Sequence, residues 1–320
     1  MGRYGRYIPW IILGCTILLF PLRTSNYYLQ IACLAGIYII LIIGYDFILG
    51  WAGLLSLSHA AFYGIGAYTS ALLSVNFSIP FWVTLPAAAI VAGLFGLVVG
   101  FPTLRLRGHY LALGTLAFGE IVVLVLMRWR AVTRGVDGVT GIVPASFGLF
   151  VFDNNKSYYY LLIFFILILA IFARRIHQSR FGRALIAIRT AEVTAEVSGI
   201  DTNRIKLLAF ILSAVYAGIA GSLYAYLFRY ISPETFGLHQ SITILTMLLI
   251  GGGGSIGGSV LGAILLSFLP EWLRFLKDYY LLLYGVGIVL MMAFMPDGVI
   301  GLAKKIISKI KFRLPLRRNV

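Results

Sequence analysis

The chain has 320 residues, of which 60% are hydrophobic and only 12% charged, and its mean hydropathy is +0.95. These values exclude a soluble globular protein, and the apolar runs leave no room for a second soluble domain of ordinary size. The formal net charge of +15 fits basic loops gathered on one side of a membrane better than a nucleic-acid surface, so no nucleic-acid partner is expected.

The expected fold class is all-α: a polytopic membrane protein with about ten transmembrane passes, including broken or short helices. The opening segment, MGRYGRYIPWIILGCTILLFP, starts basic and then turns apolar like a signal peptide. No small-x-small cleavage site follows Phe20, so 8–20 reads as an uncleaved first span. A second run covers 27–45. Beyond it, turn-favouring residues are frequent and no Lys, Arg, Asp or Glu occurs from Phe47 to Leu104, which suggests a broken or re-entrant helix over 47–59. Ser56, Ser58 and His59 sit at that break. Broken helices in transporters present backbone groups to polar substrates, which makes these three candidates for the translocation pathway or its gate. His59 reads equally well as a satisfied interface residue.

Apolar runs follow at 60–77, 81–100 and 110–127. Glu120 lies in the last of these, roughly 15 Å beyond the loop carrying Arg107 and His109, and reads as the only carboxylate well inside a span. An ionisable group at that depth is a functional candidate by default. Pairing with a basic or hydroxyl group on another helix is the expectation adopted here; a neutral protonated state and a direct transport role are the alternatives. Arg128–Ile142 reads as an outer loop whose cations suit either solvent or the acidic rim of a protein. The remaining runs are 157–173, 207–228, 241–250, 257–270 and 279–295, with a basic tail at 303–320. The segment GGGGSIGGS, Gly251 to Ser259, is not a phosphate cradle, because a P-loop needs a Lys followed by Ser or Thr and a preceding strand. Gly251, Gly252, Gly253 and Gly254 read as a sharp chain reversal, with a part in gating as the alternative. No Walker A sequence occurs elsewhere. Cys15 and Cys33 fall in apolar runs without metal-ligand spacing, and four scattered histidines suggest no metal site.

Placing both termini in the cytoplasm puts 18 of the 26 Lys and Arg residues inside. That bias also requires two short passes around the glycine run, since one long helix over 241–270 would send the basic tail outside. The loop at 174–206 is then cytoplasmic. Within it, FGRALIAIRTAEVTAEVSGI, Phe181 to Ile200, reads as a charged amphipathic helix. Gly199 suits a left-handed helix end, and Asp201 or Thr202 suits the cap of the next span. Glu192 and Glu196 share one face at i, i+4, which anionic headgroups would repel, so a protein partner is expected there.

The segment FGRALIAIRTAEVTAEVSGIDTNRIKLLAF resembles the cytoplasmic coupling loop of ABC importer permeases, specifically those of branched-chain amino acid importers. Glu192, Ala195 and Gly199 match the loop's pattern, while Thr194 replaces an alanine. GWAGLLSLSHAAFYGIGAYTSALL, LRGHYLALGTLAFGEIV, TRGVDGVTGI, YISPETFGL and IGGGGSIGGSVLGAILL resemble segments of the same subfamily in the same order. The resemblance runs from about Gly44 to Leu302. It implies one transmembrane permease domain over 1–320 in a bacterial inner membrane. It also implies a paralogous permease partner, two ATPase subunits and a periplasmic or extracellular binding protein. No cofactor is expected on this chain; ATP and Mg belong to the ATPases. Gly182, Arg183, Arg189, Glu192, Ala195, Glu196 and Gly199 are the expected ATPase-coupling residues. Relatives that carry urea, amides or other amino acids, and an ion-coupled secondary transporter using Glu120, are the alternative readings.

Overall fold

A computed structural model describes residues 19–21, 24–106, 108–147, 150–273, 285, 286, 289, 298, 299 and 301. The expected first and last spans, 8–20 and 279–295, and the basic tail 303–320 lie largely or wholly outside the described residues. Eight principal helices match the remaining eight apolar runs: α1 (Asn26–Asp46), α2 (His59–Phe77), α3 (Phe81–Thr103), α4 (His109–Arg128), α6 (Asn155–Gln178), α9 (Thr202–Phe228), α10 (Leu238–Gly251) and α11 (Ile256–Leu273). A single turn, α5 (Arg130–Thr133), follows α4, and two short helices, α7 (Arg180–Thr190) and α8 (Glu192–Val197), precede α9. Five described helices are long and apolar enough to cross a membrane: α1 with the turn that follows it, α3, α4, α6 and α9. The helix α10 has 14 residues, about 21 Å at 1.5 Å per residue, which is short of a ~30 Å hydrocarbon core.

The 27-residue α9 runs through the centre and packs against α1, α2 and α3. Small residues let it approach them. Gly218 has no room for a side chain between Ala88 and Ala92 of α3, and Gly221 lies against the Tyr63 carbonyl of α2. Apolar attraction between helices is weak in lipid, so such close backbone packing supplies much of the association energy. Hydroxyls bridge the same helices: Ser70 donates to Ser222 at 2.7 Å, and Thr84 and Tyr226 share a hydrogen bond of 2.7 Å.

Charge segregates between the two ends of the bundle. One end carries α7, α8, Arg105 and the start of α9. The other carries Asp153, which pairs with Arg229, and the Tyr27–Glu271 hydrogen bond of 2.6 Å. The second end is capped by two small antiparallel ladders, β1 (Val139–Thr140) with β4 (Tyr230–Ile231) and β2 (Ser146–Phe147) with β3 (Phe150–Val151), the only departure from an all-α fold among the described residues.

Non-helical chain enters the bundle from both ends. The suspected break at 47–59 is present: α1 ends in a π-turn, Phe47–Trp51, and 52–58 then runs back inward before α2 begins. A second dip, around the turn Pro233–Phe236, went unseen in the sequence. It wedges Phe236 against Gly64, with ring centroids 5.2 Å from Tyr63 and 6.0 Å from Tyr224. Such backbone is tolerated at membrane depth only where protein or water satisfies it.

Candidate functional site

The starts of α2 and α10 meet inside the bundle, where the Ala60 N–H donates to Ser241 Oγ at 3.3 Å. Around this crossing, the Tyr45 hydroxyl donates to the Ser56 carbonyl at 2.6 Å, Ser56 and Ser58 hydroxyls lie 3.0 Å apart, and the Leu57 N–H donates to Thr115 Oγ1 at 2.9 Å. His59 is buried with both ring nitrogens engaged, one 3.1 Å from the Leu41 carbonyl and one 3.4 Å from Ser213 Oγ. The structure thus groups Ser56, Ser58 and His59 as a satisfied internal network. The surface it offers outward comes from Gly53, which is exposed, and from the half-buried Leu54, Leu55 and Leu57.

Glu120 lies beside that surface. Its neighbour Gly119 packs on the Leu57 carbonyl, and Glu120 itself is half-buried on α4 between the exposed Leu113, Ile121 and Leu124. Among the described residues Glu120 has no hydrogen-bond or ion-pair partner, so the expected pairing with another helix is not found there. An intramembrane carboxylate avoids lipid by facing protein or water. Because no hydrogen bond or ion pair among the described residues is lost, Glu120→Gln is expected to change thermal stability in detergent by less than ~0.5 kcal/mol. A clear drop in melting temperature would reveal a partner for the carboxylate inside this chain.

A second carboxylate, this one buried, stands just beyond the apolar run 27–45. Asp46, the last residue of α1, is 1% exposed, and its Oδ1 accepts the Gly254 N–H at 2.6 Å. The glycine reversal is present: Gly252 and Gly254 have φ of 99° and 91°, a conformation that side chains disfavour. Gly251 packs directly on Gly258 at the base of α11, so Gly251, Gly252, Gly253 and Gly254 form a tight turn at the α7 end. Ser241 is about 15 Å along α10 from this turn, so the pathway candidates fall in two separate places.

The segment from Phe181 to Ile200 is two helices, not one. Ala191 is extended, with φ −160° and ψ 94°, and separates α7 from α8. Ser179 caps α7 by accepting the Gly182 N–H at 3.4 Å, and Gly182 is buried against the carbonyls of Ile176 and His177, which leaves no space for a side chain. Arg183 donates to the Gln178 carbonyl at 2.9 Å. Gly199 ends α8 with φ +85°, and Asp201 caps α9 by accepting the Arg204 N–H at 3.0 Å, as the sequence predicts. The shared face of Glu192 and Glu196 divides: Glu192 pairs with the buried Lys206 of α9 at 2.5 Å, whereas Glu196 stays exposed. Ala195 is buried. Arg189 reaches inward to donate to the Gly50 carbonyl. The sequence reading missed Val193 and Val197, 73% and 85% exposed, which stand side by side at i, i+4 on α8. Their spacing carried that signal, overlooked beside the glutamates.

A helical membrane bundle with interrupted spans and a protruding helical pair at one end defines a multi-pass transport permease. The chain belongs to the family described as branched-chain amino acid transport system, permease component, which it matches over residues 27–293. It is 37% identical over 307 residues to the high-affinity branched-chain amino acid transport permease LivM of Escherichia coli, covering 89% of this chain and 72% of the relative. It is 28% identical over 285 residues to BraD of Pseudomonas aeruginosa, covering 82% and 91%, and 26% identical over 289 residues to LivH of Escherichia coli, covering 84% and 92%. No solved structure matches the chain.

Proposed function

We propose that this chain is a permease subunit of a binding-protein-dependent ABC importer for branched-chain amino acids. It carries no Walker A sequence, so ATP with Mg is bound and hydrolysed by two ATPase subunits in trans. It sits in a bacterial inner membrane with about ten passes and both termini in the cytoplasm, the orientation that places most Lys and Arg inside. A paralogous permease completes the transmembrane unit, and a binding protein delivers substrate to the end that carries β1–β4. Ser56, Ser58, His59, Glu120 and Gly251 to Gly254 belong to the pathway or its gate. Ser56, Ser58 and His59 brace the 53–57 surface from within, and Glu120 borders it. The family's description as a permease component favours this reading over an ion-coupled transporter, and the relatives' names favour branched-chain amino acids over urea or amides.

The observation that carries the ATPase assignment is the Val193–Val197 pair. Two large apolar side chains project from a short helix at the basic end, beside the exposed Glu196 and Gly199. A neighbouring open groove of about 610 Å³ between α7 and the start of α9 is lined by Arg180, Phe181, Arg183 and Ile205. Gly182, Arg183, Ala195, Glu196 and Gly199 shape this docking surface; Arg189 and Glu192 hold it to the bundle. Substituting both Val193 and Val197 with Asp places two charges where an apolar contact is required. The variant is expected to insert normally and to lose co-purifying ATPase subunits and uptake together. Undiminished co-purification would remove α8 as the contact.

A further inference from the structure

We propose that Arg189 and Asp46 are positioning residues that carry movement of the coupling helix α7 into the membrane bundle, by tying α7 and the turns at 47–53 and 252–255 into one unit. The inference rests on the reading of α7 and α8 as the ATPase contact. Three pieces of backbone distant in sequence meet here. The Arg189 guanidinium donates to the Gly50 carbonyl across 139 residues, and the Asp46 carboxylate accepts the Gly254 N–H across 208. A methyl group built on Gly53 would lie 3.0 Å from Arg189 Cγ, and one on Gly254 would lie 3.6 Å from Arg189 Nη1. Gly50 has no space for a side chain beside the Asp46 carboxylate, and Gly253 packs on the Gly50 Cα.

The glycines bring the two turns so close that backbone groups are what remains to join them. One arginine and one aspartate supply the missing donor and acceptor. Charge-assisted hydrogen bonds of this kind are stronger than neutral ones and directional, so they transmit displacement where an apolar contact would slip. The 47–53 turn leads through 52–58 to the start of α2, and the 252–255 turn joins α10 to α11. A displacement of α7 therefore reaches both helices of the Ala60–Ser241 crossing at once.

The test measures uptake per ATP hydrolysed by the complete importer in proteoliposomes. Arg189→Gln is expected to assemble with the ATPases and to hydrolyse ATP, with uptake per ATP reduced roughly tenfold, the loss of one charge-assisted bond. Arg189→Lys, which keeps a cationic donor, is expected to recover much of it. Asp46→Leu is expected to uncouple in the same way. Asp46→Asn, which keeps an acceptor for the Gly254 N–H but not its charge, is expected to lose part of the uptake per ATP, less than Asp46→Leu, and judges the proposal even if a harsher variant fails to fold. An unchanged ratio in Arg189→Gln and Asp46→Leu overturns the tie, as does a parallel fall of hydrolysis and uptake, which marks mere structural support. Cross-linking of the ATPases from position 193 is scored separately, so failure of the docking assignment is distinguished from failure of the tie.

Discussion

Gly218→Val is expected to leave little folded protein, seen as loss of the monodisperse species in detergent and of protease-resistant protein in membranes. A Cβ at 218 would stand 2.6 Å from both the Ala88 carbonyl oxygen and the Ala92 Cβ, while the opposite side of the same residue meets Gly66 of α2. These neighbours are mostly backbone, which cannot rotate away as a flexible side chain would. Relief requires α9 to separate from α2 or α3, the helices it packs against most extensively. Overpacking alone costs about 1–3 kcal/mol, and separating two helix contacts at once places this substitution at or beyond the upper end. Gly218→Ala is expected to be destabilised less but measurably. Gly237→Ala, where a Cβ has 3.5 Å to its nearest neighbour and φ is −76°, is expected to melt with the unmodified protein. Equal stability of Gly218→Val and Gly237→Ala would mean that α9 does not pack as described.

The second large effect is an asymmetry across the Glu192–Lys206 pair. The Lys206 side chain is 6% exposed and the Glu192 side chain 42%. Glu192→Gln strands a buried ammonium beside a neutral amide, with a cost of about 1–3 kcal/mol, below the value for fully buried pairs because the carboxylate is partly hydrated. Lys206→Met removes the buried charge and leaves a carboxylate that water can reach, so it is expected to cost less. Because the pair fixes α8 on the start of α9, Glu192→Gln is also expected to lose most substrate-stimulated ATP hydrolysis. Thermal melting of both variants in the assembled importer decides it. A Lys206→Met variant less stable than Glu192→Gln would show that Lys206 contributes through packing and not through the pair.

The sequence by itself determined the class and the positions of eight helices. Helix length and the apolar threshold are local properties, so neither needs tertiary contacts. The caps at Gly199 and Asp201 are equally local, since each satisfies backbone groups within a few residues of itself. The glycine reversal was legible too, because consecutive residues without side chains leave few other conformations. What the tertiary structure decided depends on residues far apart in the chain. Ala191 splits the segment Phe181 to Ile200 although its neighbours continue a helical pattern, and Glu192 turns to a lysine on the next helix. The dip at Pro233–Phe236 exists because Gly64 opens space for Phe236 from another helix. Nothing local to Asp46 marks it in the sequence. Only the approach of Gly254, 208 residues away, gave its carboxylate a partner, and only the fold carried Arg189 to the same junction.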